Sequence, residues 1–162
     1  MIILGIDPGT LRMGYGVIED KQGTPMLVAC GVLPASRKLS LGQRLVVLYE
    51  QLQEVLARYT PDQVAIEEPF VAHNVRSAMA IGAARAIAIL AVSLRGLPVA
   101  SYSPAQVKSS VSDYGRSDKR QVQEAVRLLL GLAKPPAPYD ASDALAIAIC
   151  HLRQSRLAKL LP

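Results

Sequence analysis

The sequence has 162 residues but no tryptophan, a single phenylalanine and only two cysteines. Each scarcity excludes something. With so few aromatics, the core has to be built from Ala, Val, Ile and Leu, and Phe70 needs a reason of its own. Cys30 and Cys150 supply neither a disulfide framework nor zinc-ligand spacing, which fits a reducing compartment and a cytoplasmic location. The longest apolar stretch, between Arg76 and Arg95, is broken by Arg85. It reads as short of the roughly 18 apolar residues of a membrane span. The opening MIILGIDPG has no basic segment and reaches Asp7 too soon for a signal peptide. No internal repeat or low-complexity tail is evident, and KPPAP at 134–138 reads as a rigid loop. What is abundant is aliphatic: hydrophobic residues make up 51% and charged residues 19%, a globular balance. Lys and Arg number 18 against 13 Asp and Glu, and the net +5 favours an anionic partner. The length predicts one domain spanning 1–162.

Periodicity then orders the chain. Met1–Asp7 reads as a buried strand stopped by Pro8-Gly9. Gly14–Glu19 and Met26–Leu33 read as two more strands, joined by a turn near Gly23, an antiparallel meander. From Ser40, a plausible N-cap, leucines follow helical spacing until Pro61. Gln63–Glu67 is a fourth strand reached by a helical crossover, hence parallel to its neighbour. Asn74–Arg95 is a helix rich in small residues, Pro98–Tyr102 a fifth strand, and 104–112, 119–130 and 139 onward are helices. The expected fold is α/β: three meandering strands plus two parallel ones in one mixed sheet, flanked by helices.

The chemistry is carried by acids at element ends. Asp7 closes the first strand, Glu67 closes the fourth, and Asp140 and Asp143 lie one turn apart at the start of the last helix. An acid ending an apolar run is costly unless it meets solvent, a partner or a metal. Singly, each has a bland reading: a turn former for Asp7, an N-cap or helix-dipole partner for Asp140 and Asp143. Together they describe a site for hard divalent cations, and two such ions form the clamp used in in-line phosphodiester cleavage. Two Mg²⁺ per site, with Mn²⁺ as a substitute, are the expected cofactors. Residue types alone do not separate Glu67 from its neighbour Glu68.

The segments IILGIDPGTLRMGYGVIE, VAIEEPFVAHNVRSAMAIGAARA, SYSPAQVKSSV and YDASDALAIAICH resemble the bacterial RuvC family of Holliday junction resolvases. The resemblance runs over nearly the whole chain in family order. It implies an RNase H-like fold and a homodimer that cleaves four-way DNA junctions with Mg²⁺ in recombination and repair. Its catalytic carboxylates fall on Asp7, Glu67, Asp140 and Asp143. A link to the RuvA–RuvB branch-migration complex is implied by the family alone.

Basic residues concentrate where DNA would lie. Between Glu68 and Tyr139, nine Lys and Arg face three acids, a net +6. Lys108, Arg116, Lys119 and Arg120 sit where helices start or break, suited to phosphates. The resemblance assigns Lys108 and Lys119 to the DNA backbone near the scissile phosphate. It assigns Phe70 to wedging into the junction and stacking on a base, with Asn74 completing the PF-x-x-x-N segment. Tyr114 and Arg116 could join these contacts around Gly115, and His73 and His151 receive no role. The small-residue helix around Met79–Ala91 corresponds to the family's dimer helix. Three other readings remain: an RNase H-like nuclease acting on RNA; a phosphate-binding protein of the actin, Hsp70 and sugar-kinase type, suggested by GIDPGT; and a catalytically dead junction-binding module, which the presence of all four carboxylates argues against.

Overall fold

The computed structural model describes residues 1–68, 75–112 and 118–160. The strands are β1 (Ile2–Asp7), β2 (Arg12–Lys21), β3 (Thr24–Pro34), β4 (Gln63–Glu67) and β5 (Val99–Tyr102). They form one five-stranded sheet in the order β3-β2-β1-β4-β5. The first three are antiparallel, whereas β4 and β5 run parallel to β1 and to each other. The helices are α1 (Leu41–Tyr59), α2 (Val75–Ser93), α3 (Pro104–Val111), α4 (Lys119–Leu129) and α5 (Tyr139–Leu160).

Three helices start on the same device. Ser40, Ser103 and Asp118 accept a hydrogen bond from the backbone of Gln43, Gln106 and Gln121, and each glutamine side chain accepts one from the cap backbone in return. These capping boxes satisfy donors that a helix start would otherwise orphan, and they fix where each helix leaves its loop.

β1 is the middle strand, and its period-two pattern feeds both layers. Leu4 and Ile6 pack with α1 and α2, in a core that includes Leu48, Leu52, Ala84 and Ala88. Ile3 faces the other side, where Val107, Val122, Leu145 and Ile149 close a second core beneath α3, α4 and α5. Asp7 and Ala65 share that second face, and Glu67 follows Ala65 at the same alternation.

On this side α5 comes unusually close to the sheet. A Cβ added at Gly5 would lie 2.0 Å from the Ala144 carbonyl oxygen, and one at Gly14 would lie 2.0 Å from that of Asp140. Gly5 pairs with Gly16 across β1 and β2, and Asp7 pairs with Gly14. The glycines therefore leave a trough in the sheet that lets the helix backbone sit down on it.

Two expectations need correction. α2 averages a hydropathy of 1.7 over an 18-residue window, so by length and composition alone it is long and apolar enough to cross a membrane. Arg76 and Arg85 are the two charges in that window and do not break the stretch. Here one face of α2, with Ala84, Ala88 and Ala91, is buried in the domain, and Arg85 donates a hydrogen bond to Ser101. His151 is also no incidental residue. It is 9% exposed and bridges Tyr102 (2.8 Å, at Nδ1) and Gln63 (2.8 Å, at Nε2). With the Gln63 amide oxygen accepting, Nε2 carries the proton and Nδ1 accepts from the Tyr102 hydroxyl.

Candidate active site

Three acids from three elements line one cleft of about 250 Å³. Asp7 comes from the end of β1, Glu67 from the end of β4, and Asp143 from the first turns of α5. The two strands are parallel neighbours in the register Ile6↔Ile66, so their last residues emerge side by side. Docking of α5 in the glycine trough then sets Asp143 above that pair. Lys108 of α3 and Lys119, the first residue of α4, complete the lining with Val107, Val122 and Ala146. Glu68 is exposed and does not line the cleft, which separates it from Glu67 as the sequence could not.

The electrostatics of the cleft are strained. Burial, followed by the charges of Glu67, Asp143 and Asp140, pushes the Asp7 pKa up to about 8 against the opposing pull of Lys119. Burial and Asp143 push Glu67 up to about 7, while Lys108 and Lys119 pull it down. Asp143 is raised as well, chiefly by burial. Each carboxylate is easier to protonate because burial disfavours its charged form and, second, because its neighbours are negative. A divalent cation relieves the same excess, and a donor set made only of carboxylate oxygens suits a hard ion.

Asp140 is placed differently. It does not line the cleft; its Oδ2 lies 2.9 Å from Nε of Arg12, the first residue of β2. It nonetheless acts electrostatically on Asp7 and Asp143. It sits within the first turn of α5, while the backbone amides of Ala141 and Ser142 bond to the Pro138 carbonyl. Among the described residues, no three His, Cys, Asp or Glu side chains stand grouped for a metal ion.

Of the expected DNA contacts, Lys108 and Lys119 are in the cleft. Arg120 is exposed on the first turn of α4 and does not line it. Phe70, Asn74, Tyr114, Arg116 and His73 lie outside the described residues. Sequence reasoning missed Arg12 and the glycine trough. The trough had a signal: Gly5, Gly14 and Gly16 fall on one face of two adjacent strands once the hairpin register is drawn. Arg12 had a fainter one, since it lies two residues before the partner of Asp7.

A mixed sheet with acids at the paired ends of its parallel strands, and more acids on a helix laid across them, is the RNase H-like nuclease plan. Residues 3–151 match the family model described as crossover junction endodeoxyribonuclease RuvC. A relative of that name from Roseiflexus sp. (strain RS-1) is 49% identical over 148 residues, covering 91% of this chain and 88% of its own. Among solved structures, Thermus thermophilus RuvC in complex with a Holliday junction substrate superposes with a TM-score of 0.91 at 34% identity, covering 98% of this chain and 96% of that one. The yeast mitochondrial Holliday junction resolvase shares the fold, with a TM-score of 0.71 at 15% identity over 97% of this chain and 82% of its own. The chain belongs to the RuvC family of crossover junction endodeoxyribonucleases. Nucleases of this family are metal-dependent.

Proposed function

We propose that this chain resolves Holliday junctions by nicking two symmetric strands, and that the domain spanning 1–162 carries the activity. The observation behind the proposal is the cleft, in which the three acids face two lysines inside an RuvC-family fold. Asp7, Glu67, Asp143 and, once turned inward, Asp140 would hold two Mg²⁺, with Mn²⁺ as a substitute. Bound there, the ions supply an activated water for attack on phosphorus and stabilise the leaving 3′ oxygen.

The chain's own residues do the rest. Lys108 and Lys119 hold the scissile phosphate over the acids, and the amides at the start of α4 add to its grip. Arg116, Arg120 and Asn74 extend the contact along the strand, and Phe70 stacks at the opened junction centre, where an unpaired step costs less to enter than continuous duplex. The products are 5′-phosphate and 3′-hydroxyl nicks, ready for ligation.

Paired nicks call for a two-fold dimer, and α2 has the surface for one. Opposite its buried face it exposes Val75, Met79 and Leu90, with open space above Gly82. The same face borders an apolar groove lined by Leu45, Val46, Tyr49 and Ile87. Delivery by a RuvA–RuvB-type branch-migration complex is part of this reading.

The test is cleavage of a synthetic four-way junction beside linear duplex and an RNA–DNA hybrid, in Mg²⁺ and in EDTA. Symmetric nicks in the junction alone, abolished by EDTA, are expected. Preferential cleavage of the hybrid would overturn the junction assignment in favour of an RNA-directed nuclease.

A further inference from the structure

Arg12 is the charged residue at the site that the proposed chemistry leaves unused. Its Nε lies 2.9 Å from Asp140, the one acid of the four that does not line the cleft. Both partners reach solvent, with side-chain exposures of 54% and 33%. An ion pair that wet contributes little, so it can be exchanged readily. Asp140 nonetheless lies one turn before Asp143 on the same helix, and Asp143 lines the cleft. Arg12 also borders a hollow that Arg37 lines, and the like charge of Arg37 gives the guanidinium no second anionic partner there.

We infer that Arg12 is a positioning residue that competes with the divalent cation for Asp140. While the pair stands, Asp140 is drawn towards the start of β2, and the cleft presents three carboxylates. When a cation takes Asp140, the pair breaks and the fourth ligand joins. The exchange sets the cation affinity without Arg12 touching the reacting atoms. The inference rests on the reading of Asp140 as a cation ligand.

The experiment measures Mn²⁺ binding, by the EPR signal of the free ion, to wild type, Arg12→Gln, Arg12→Lys, Asp140→Asn and the Arg12→Gln/Asp140→Asn double variant. Thermal melts confirm that each is folded. Arg12→Gln should tighten Mn²⁺ binding by about two- to fivefold, the ceiling set by a solvent-exposed pair. Arg12→Lys keeps the opposing charge and should stay near wild type. Asp140→Asn should weaken binding, and adding Arg12→Gln to it should change nothing further. An unchanged or weakened affinity in Arg12→Gln overturns the inference. So does the same gain in the Asp140→Asn background, which would reduce the effect to the general loss of a positive charge. If Asp140→Asn weakens Mn²⁺ while Arg12→Gln does nothing, the competition fails and the ligand assignment stands. If Asp140→Asn leaves affinity untouched, both fall.

Discussion

Asp7 carries the largest electrostatic burden in the cleft, and its sign can be followed to a measurement. Its pKa stands at about 8 in the folded protein against 3.8 as its ordinary value, and that of Glu67 at about 7 against 4.5. Between these limits the folded chain binds more protons than the unfolded one, so stability in EDTA should fall as pH rises from about 4 to about 8. Mg²⁺ should raise the melting temperature more at pH 8 than at pH 5, because at pH 5 it must displace protons. Asp7→Asn should remove much of the pH dependence, raise the EDTA melting temperature at pH 8 and abolish cleavage while leaving junction binding in place. A mutant that still resolves junctions in Mg²⁺ would end the assignment. Phe70→Ala should bind junctions nearly as wild type does and cleave them poorly; equal cleavage rates would remove the wedge role. At this scale the sequence was informative about charge and silent about direction. The acids ending IILGID and VAIE could be picked out because carboxylates are expensive at the end of apolar strands. Nothing in YDASD reveals that Asp143 faces the cleft while Asp140 faces Arg12, since i and i+3 share a helix side and only the neighbouring strand decides between them.

At the scale of elements, the site is made by the approach of α5 to β1 and β2. Gly14→Ala would drive a methyl into the Asp140 carbonyl. Overpacking of this kind costs about 1–3 kcal/mol. The helix would have to lift, carrying Asp140 and Asp143 with it, so cleavage should fall further than the melting temperature suggests. Val17→Ala, on the opposite face of β2, serves as a control with a comparable stability loss and retained chemistry. The far end of α5 is tied by His151 to Tyr102 of β5 and Gln63 of β4. Burial lowers the His151 pKa, so its contribution is present above about 6.5 and is lost as pH falls below that value. His151→Ala would strand half-buried polar partners at a cost at the low end of about 1–3 kcal/mol, read as a lower denaturation midpoint. Element types and their order were legible because periods of two and 3.6 are plainly separated along the chain, and Gln63–Glu67 is a strand in both readings. The intimacy of sheet and helix was not, because it depends on the absence of side chains at Gly5 and Gly14, which hydrophobic patterning does not register.

At the scale of the whole molecule, charge is divided rather than balanced. In the proposed function Asp7, Glu67, Asp140 and Asp143 go to cations, which would leave nine acids against 18 bases, or +9 for the remainder. Junction affinity should therefore fall steeply and log-linearly with salt, and Lys108→Ala should make that slope shallower. The apolar strip on α2 makes a separate prediction. Sedimentation equilibrium at micromolar concentration should find a dimer, and Leu90→Glu should shift it towards monomer without unfolding it; a wild type that sediments only as monomer would count against the paired-nick scheme.

The order in which the acids occur along the chain has a consequence for how the enzyme comes into being. Asp7 is made before Glu67, which joins it only after the α1 crossover closes, and Asp143 follows on α5, which must dock before the cleft exists. A chain still emerging from the ribosome, folding its N-terminal part first, would hold the sheet before it held the three-acid cleft. If the three acids act as proposed, cutting DNA must wait until α5 has docked, so that a chain still lacking this helix is no nuclease.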